Sequence, residues 1–350
     1  MRHRLLIARA SVCAWSFALA LGSAVAADAA AAETKGAARP AALSTAQAQQ
    51  WLQRIQQAPS KRNFQGTFVV SAGGSLSSAR MTHYQVGNSQ YELIESLNGQ
   101  ARLVFRHDDV IQTNWPQHRV ALIEQREKLG SFPALLEAGD PRVVEFYELR
   151  VLGEDRVAGR LADVLQLTPR DALRFSKRLW VDKESGLLLR EDVLGANSQV
   201  LESSAFSDVA VGVRPQPEAV LAGMKKLDGY RVVRPTLTTA ELEAEGWVQR
   251  EMVPGFRRVS CIKRPLFSAG EVDAQTMSPQ VLQTIYTDGL TFVSVFIEAF
   301  DEARHSRPVL TSIGATHTLM VRQGDWWFTV VGDAPPAALR AFAKAVERKR

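Results

Sequence analysis

Residues 156–193 read RVAGRLADVLQLTPRDALRFSKRLWVDKESGLLLREDV, and the fold turns on how they are read. Three extended segments, 156–167, 173–182 and 187–193, are joined by Thr168-Pro169-Arg170-Asp171 and Lys183-Glu184-Ser185-Gly186, both dense in turn-forming residues. In the middle segment Phe175, Leu179 and Val181 share one parity, interrupted by Lys177, while Arg174, Ser176, Arg178 and Trp180 share the other. Successive side chains of a strand alternate faces, so one surface is apolar and the other sets two arginines beside a tryptophan. That second face suits either of two roles: lying under helices, or lining a groove that offers apolar area and positive charge together.

Working outward toward the N-terminus, the same two-residue period predicts strands over 64–71, 79–86, 90–97, 102–105, 110–115, 119–124 and 143–152, with a last one at 199–209. Asn98-Gly99 reads as a tight hairpin turn, and Glu154-Asp155 as the turn before the central segment. Ser44 and Gln47 form a capping box ahead of Ala48, Trp51, Leu52, Ile55 and Ala58, which predicts a helix that Pro59 stops. A second, short helix is expected over 131–137. About ten strands with few helices make a sheet that must curl or cover its face. The aromatic residues on these strands either fill an ordinary core or line a cavity for acyl chains.

Beyond 212 the pattern restarts. Pro215 and Pro217 prevent a central strand, and 218–227 reads as a short helix. Extended segments follow over 247–262, broken at Pro254-Gly255, then over 281–287 and 290–300 across Asp288-Gly289, and over 318–322 and 326–331. Leu339, Phe342, Ala343 and Val346 place a helical stripe in 337–350. The fold class is therefore mainly antiparallel β with covering helices, α+β. The expected division is a signal peptide over 1–26, a lead-in over 27–46, a first domain over 47–212, a linker over 213–230, a second domain over 231–336 and a terminal helix over 337–350.

The signal reading rests on basic Arg2, Arg4 and Arg9, an apolar run over 10–21 and Ala24-Val25-Ala26 at the cleavage position. Cleavage removes those three arginines and no acid, so the formal charge falls from +5 to +2. No basic tract tracks phosphates, and nucleic acid is not expected as a partner. One cysteine, Cys261, remains; it cannot form an intramolecular disulfide and is read as packing. His83, His107 and His118 make no metal-ligand spacing, and Asp108-Asp109 and Glu154-Asp155 sit at turns. Neither a Gly-x-Ser-x-Gly elbow nor a phosphate loop occurs. No catalytic residue, metal or cofactor is expected, and the chain reads as a binding protein.

Several pieces in order resemble the MucB/RseB family, periplasmic regulators of the envelope-stress sigma factor pathway. They are Trp51-Leu52-Gln53-Arg54, Asp155-Arg156-Val157-Ala158-Gly159-Arg160, Trp180-Val181-Asp182 and Ser185-Gly186-Leu187 through Arg190, followed by Tyr286-Thr287-Asp288-Gly289-Leu290 and Val330-Val331-Gly332-Asp333-Ala334-Pro335. The chain departs from the family pattern at Val253-Pro254-Gly255-Phe256, one residue short between proline and glycine, and at Leu188, where proline is usual. The resemblance implies a large N-terminal half-open β-barrel like the lipoprotein carrier proteins and a smaller C-terminal sheet domain. It also implies binding to the periplasmic domain of an anti-sigma factor of the RseA/MucA type, protection of that factor from regulated proteolysis, and release by lipopolysaccharide or lipoprotein acyl groups. A homo-oligomer is compatible with it. The residues expected to meet such a ligand are Phe68, Tyr84, Phe146, Arg174, Arg178, Trp180 and Arg190, with Arg190 also placed to pair with Asp182 or Glu191. The alternative is a periplasmic lipid or lipoprotein carrier, with a hydrolase a more distant third.

Overall fold

A computed structural model of the protein describes residues 40–125, 142–265, 280–305 and 307–349. The signal peptide, most of the lead-in and the helix expected over 131–137 lie outside the described residues.

Helix α1 (Thr45–Lys61) starts where the capping box predicts: the Ser44 hydroxyl accepts the Gln47 N–H at 3.3 Å and the Gln47 side chain accepts the Ser44 N–H at 3.0 Å. Pro59 does not stop it. The helix runs on to Lys61, because a proline in the last turn removes only one ladder bond, and a ring nitrogen of His83 lies 2.8 Å from the Pro59 carbonyl, holding the helix end.

Strands β1 (Phe64–Ala72), β2 (Ser75–Val86), β3 (Ser89–Ser96), β4 (Leu103–His107), β5 (Val110–Trp115) and β6 (Val120–Gln125) form an antiparallel meander. Its two-residue turns fall at Gly73-Gly74, Gly87-Asn88 and Asp108-Asp109, each with a positive φ. Asn98-Gly99 is a correction. It lies in a wider loop closed by Ser96 N–H to Arg102 O, because the Asn98 amide is taken by β2, accepting from Ser78 N–H at 2.8 Å and donating to Leu76 O at 3.0 Å.

The central segment supplies α2 (Val143–Phe146), β7 (Tyr147–Val157), β8 (Arg160–Pro169), β9 (Ser176–Asp182), β10 (Leu188–Leu194) and β11 (Val200–Val211). Here the turn expected at Glu154-Asp155 moves to Ala158-Gly159, where both residues have positive φ. A bulge between Val151 and Gly153 lets β7 continue, and its acids are used across the sheet: Asp155 accepts the Trp180 indole N–H at 2.9 Å and Glu154 pairs with Lys183. Helix α3 (Pro217–Lys225) buries Val220 beside Tyr84 and Phe105, and β12 (Arg231–Val233) then pairs parallel with β6. The resulting twelve-stranded sheet runs β12-β6-β5-β4-β3-β2-β1-β11-β10-β9-β8-β7; among the described strands it is open, not closed into a barrel.

The second sheet comprises β13 (Thr238–Thr239), β15 (Arg257–Pro265), β16 (Gln280–Thr287), β17 (Phe292–Ala299), β18 (Val309–Ile313), β19 (Thr316–Gln323) and β20 (Trp326–Gly332), in the order β13-β15-β16-β17-β20-β19-β18. Between β13 and β15 lies β14 (Trp247–Gln249), and after β20 comes α4 (Pro336–Ala345). The terminal helix stops earlier than its stripe predicts. Val346 turns extended and fully buried, starting β21 (Val346–Arg348), which pairs with β14. Trp247, Phe256, Tyr286, Phe328, Leu339 and Phe342 fill this core. The protein is thus a mixed α+β fold dominated by antiparallel sheet.

The parity read from the central segment holds over β9, whereas Arg174 and Phe175 precede the strand and leave the faces expected for them, Phe175 packing beside His317. Leu179 and Val181 pack with Leu52 and Ile55 of α1, while Trp180 joins Phe64 and Phe206 in a different cluster. Both faces of β9 are therefore covered, and each large apolar side chain buried there contributes about 1.5–3 kcal/mol. Leu179→Ala is expected to cost about 2–5 kcal/mol in urea unfolding, whereas Leu161→Ala, at an exposed position, stays within about 0.5 kcal/mol.

Candidate functional site

The two sheets meet at a polar junction built largely from the segment between β8 and β9. Pro169 ends β8, and Asp171 accepts the Leu173 N–H at 2.9 Å, which turns Arg174 out of the strand path. Arg174 Nε donates to Asp288 Oδ2 at 2.7 Å and Nη2 donates to the Pro254 carbonyl at 2.6 Å, while Nη1 pairs with Asp171. The guanidinium lies between Phe146 and Phe256, 4.6 and 4.7 Å from their ring centres. Neither the Arg174 nor the Asp288 side chain has exposed surface.

Asp288 is fully used. Its Oδ2 also accepts the Tyr147 hydroxyl at 3.0 Å, and its Oδ1 accepts Leu290 N–H and Thr291 N–H at 3.0 and 2.8 Å. Burial, then the nearby Asp288 charge, pushes the Tyr147 hydroxyl well above the usual tyrosine range and keeps it a donor. Removing one partner of such a buried pair strands the other, at a cost of about 3–5 kcal/mol. Gly255 fits this geometry at φ +77, where a Cβ would stand 2.7 Å from the Phe146 ring.

A second set lies alongside. Lys177 Nζ donates to Glu191 at 2.7 Å and to the Leu290 carbonyl at 3.4 Å. Burial opposes the Lys177 charge, but Glu191, with Asp333 and Asp288, outweighs it and raises the pKa. Glu202 moves the other way for an acid: burial first, then Asp333, raise it above the usual carboxylate range, although the Ala315 N–H opposes this. Further along the junction Arg264 donates to Glu124 at 2.7 Å. Beside that pair a cleft of about 450 Å³ is lined by Asp109, Gln125, Leu237, Ser260, Ile262 and Gln283, among others from both sheets.

The seven residues singled out from the sequence occupy three places. Arg174 and Phe146 form the junction. Arg190 stacks on Trp180 at 4.3 Å, with Arg178 on the neighbouring register position of the same face and bonded to Gln166. Phe68 packs edge-on to Phe206, against the cluster that also contains Trp180. Tyr84 is buried beneath α3. Arg190 pairs with Asp192, two residues on along its own face, because Asp182 is taken by Arg160 and Glu191 by Lys177.

Sequence reading missed Tyr147, Lys177, Glu191, Glu202, Asp288 and Asp333. Lys177 carried a signal: a charge on the parity of Leu179 and Val181 points into the core and needs a partner. The histidine reading needs one refinement, since His83 is buried, stacked on Phe64 and 2.8 Å from Glu92. Cys261 is a free, buried thiol, pushed up to about 11 by burial. Among the described residues no group of three His, Cys, Asp or Glu is placed to hold a metal.

Comparison with known proteins places these features in context. Residues 47–224 match the MucB/RseB N-terminal domain and residues 241–347 the MucB/RseB C-terminal domain. The sigma factor AlgU regulatory protein MucB of Pseudomonas aeruginosa is 31% identical over 310 residues, 87% of this chain and 92% of that protein. The sigma-E factor regulatory protein RseB of Escherichia coli K12 is 23% identical over 297 residues, 85% and 89% of the two chains. Among solved structures, the Pseudomonas aeruginosa MucA/MucB complex aligns with a TM-score of 0.65 at 28% identity, covering 87% of this chain and 99% of that one.

The raised Glu202 carboxyl gives the junction a pH dependence. A group that binds its proton more tightly when folded subtracts stability as pH rises from the ordinary carboxylate range through its folded pKa. Glu202→Gln is therefore expected to exceed the parent protein in unfolding free energy by more at pH 7 than at pH 4.5, a difference read from denaturant midpoints at the two pH values.

Proposed function

Because this chain belongs to the MucB/RseB family, we propose that it is a periplasmic regulator that binds the periplasmic domain of a membrane anti-sigma factor of the MucA/RseA type. By covering that segment it protects the anti-sigma factor from regulated proteolysis and keeps the envelope-stress sigma factor inactive. It works by occupancy and catalyses no reaction. The observation that carries this reading is similarity along nearly the whole length of a MucB whose structure was solved with MucA, extending through both sheets.

On this reading the division is a carrier-like domain over 47–212, a connection over 213–230 and an anti-sigma-binding domain over 231–336, with β12 at the start of the last joined to the first sheet. The first is a half-open barrel of the lipoprotein-carrier type, whose open sheet holds α1 against one face. Lipopolysaccharide or lipoprotein acyl groups act as the releasing ligand. Arg178, Trp180 and Arg190 best suit contact with them, since they share one face and combine an aromatic ring with forked donors that match oxyanions. Arg174 and Phe146 instead serve the junction.

The test is a protection assay. The purified anti-sigma periplasmic domain is incubated with its site-1 protease, with and without excess mature protein. Cleavage is expected to slow about tenfold or more once nearly all of the substrate is bound. Unchanged cleavage, or transfer of lipid with no capture of the anti-sigma domain, rejects this function, and the latter outcome describes a carrier.

A further inference from the structure

Strand β18 is an edge of the second sheet; among the described residues it pairs with β19 alone. All five of its residues are exposed, including Val309 at 41%, Leu310 at 37% and Ile313 at 69%. Natural edge strands are usually blunted by charges, prolines within the strand or bulges. Val309–Ile313 contains no charge, no proline and no register shift; Pro308 stands just before it.

The register identifies which backbone groups are open. Ile313 pairs with Thr316 across the two-residue turn Gly314-Ala315, and the residue pair closing such a turn is hydrogen-bonded. Bonded positions alternate, so Ile313, Thr311 and Val309 spend their N–H and C=O groups on β19, and those of Leu310 and Ser312 point away from it. The tip of the strand lies close to Gly73 in the β1–β2 turn.

Charge selects the occupant. No acidic residue occurs from Arg304 through Gly324, a stretch that contains Arg304, His305, Arg307, His317 and Arg322; Glu202, beside Gly314, and Asp333, bonded to Thr316, lie at the turn end of the strand, opposite the end that Arg307 precedes. Arg304 is engaged with Glu298 and Asp301, and Arg322 lies over Phe300, whereas Arg307 is exposed at the entrance to the strand. An extended segment with alternating apolar side chains and an acidic residue beside Arg307 matches this edge in hydrogen bonding, apolarity and charge.

We propose that β18 is a strand-addition site for an extended acidic segment of the anti-sigma factor's periplasmic domain, an assignment that rests on the function proposed above. The partner's backbone pairs with Leu310 and Ser312 and extends the seven-stranded sheet, while Val309 and Ile313 on one face, and Leu310 on the other, meet its apolar side chains.

The test uses mature protein and the periplasmic domain of the MucA-type anti-sigma factor from the same genome. Ser312→Pro removes an outward N–H without breaking a β18–β19 bond, a change that an edge strand tolerates. It is expected to weaken binding about tenfold in calorimetric titration. Ile313→Lys, which alters only an exposed side chain, is expected to weaken it as well, and keeps the test open should the proline variant misfold. In hydrogen exchange, the amides of Leu310 and Ser312 are expected to gain protection in the complex. If the parent protein binds but both variants bind equally well, the edge assignment is wrong and the proposed function stands. If the parent protein does not bind, the proposed function fails and the edge assignment with it. If the variants abolish self-association in sedimentation while leaving partner affinity unchanged, the edge belongs to a second copy of the chain and the proposal is overturned.

Discussion

A guanidinium without exposed surface must be neutralised where it lies, and Arg174 meets that constraint across the junction, on Asp288 2.7 Å away. The rest of the second half is positioned by this requirement. Asp288 sits at the turn between β16 and β17, so fixing it fixes the two central strands of the second sheet. Tyr147, at the start of β7, joins the same carboxylate, and the Pro254 carbonyl ties in the loop before β15. Segments far apart in sequence thus converge on one ion pair, and hydrophobic packing alone would leave their orientation less determined.

Around that pair the junction is acidic. Glu191, Glu202 and Asp333 gather near Lys177, and the Glu202 carboxyl is raised by burial first and by Asp333 second. The junction thus combines one fully satisfied pair, Arg174 with Asp288, and a neighbouring group of carboxylates that share Lys177. The apolar edge at β18 and the cleft beside Arg264 are two open surfaces of the protein.

Much of the architecture was legible in the sequence because period-two alternation and turn residues act locally. The Ser44-Gln47 box, the parity of Leu179 against Trp180 and the strand pair over Gly324-Asp325 depend on neighbours a few positions away. The errors have tertiary causes. Asn98 was diverted by β2, Pro59 was held by His83, and Val346 was drawn out of a helix by β14. The candidate site was legible only in part, for the same reason: Arg174 reads in the sequence as a ligand contact because its counter-ion lies 114 positions later in the chain. The family resemblance, carried by motifs spread over both halves, pointed to the function that local chemistry left undetermined.

The central claim is that the protein acts by covering a peptide with two sheets held in register by Arg174 and Asp288. The most direct measurement is a calorimetric titration of the anti-sigma periplasmic domain into the intact protein, with Asp288→Asn protein run in parallel. The account predicts saturable binding to the intact protein and weaker binding to the variant. No saturable heat with the intact protein, or equal affinity for both, would contradict it.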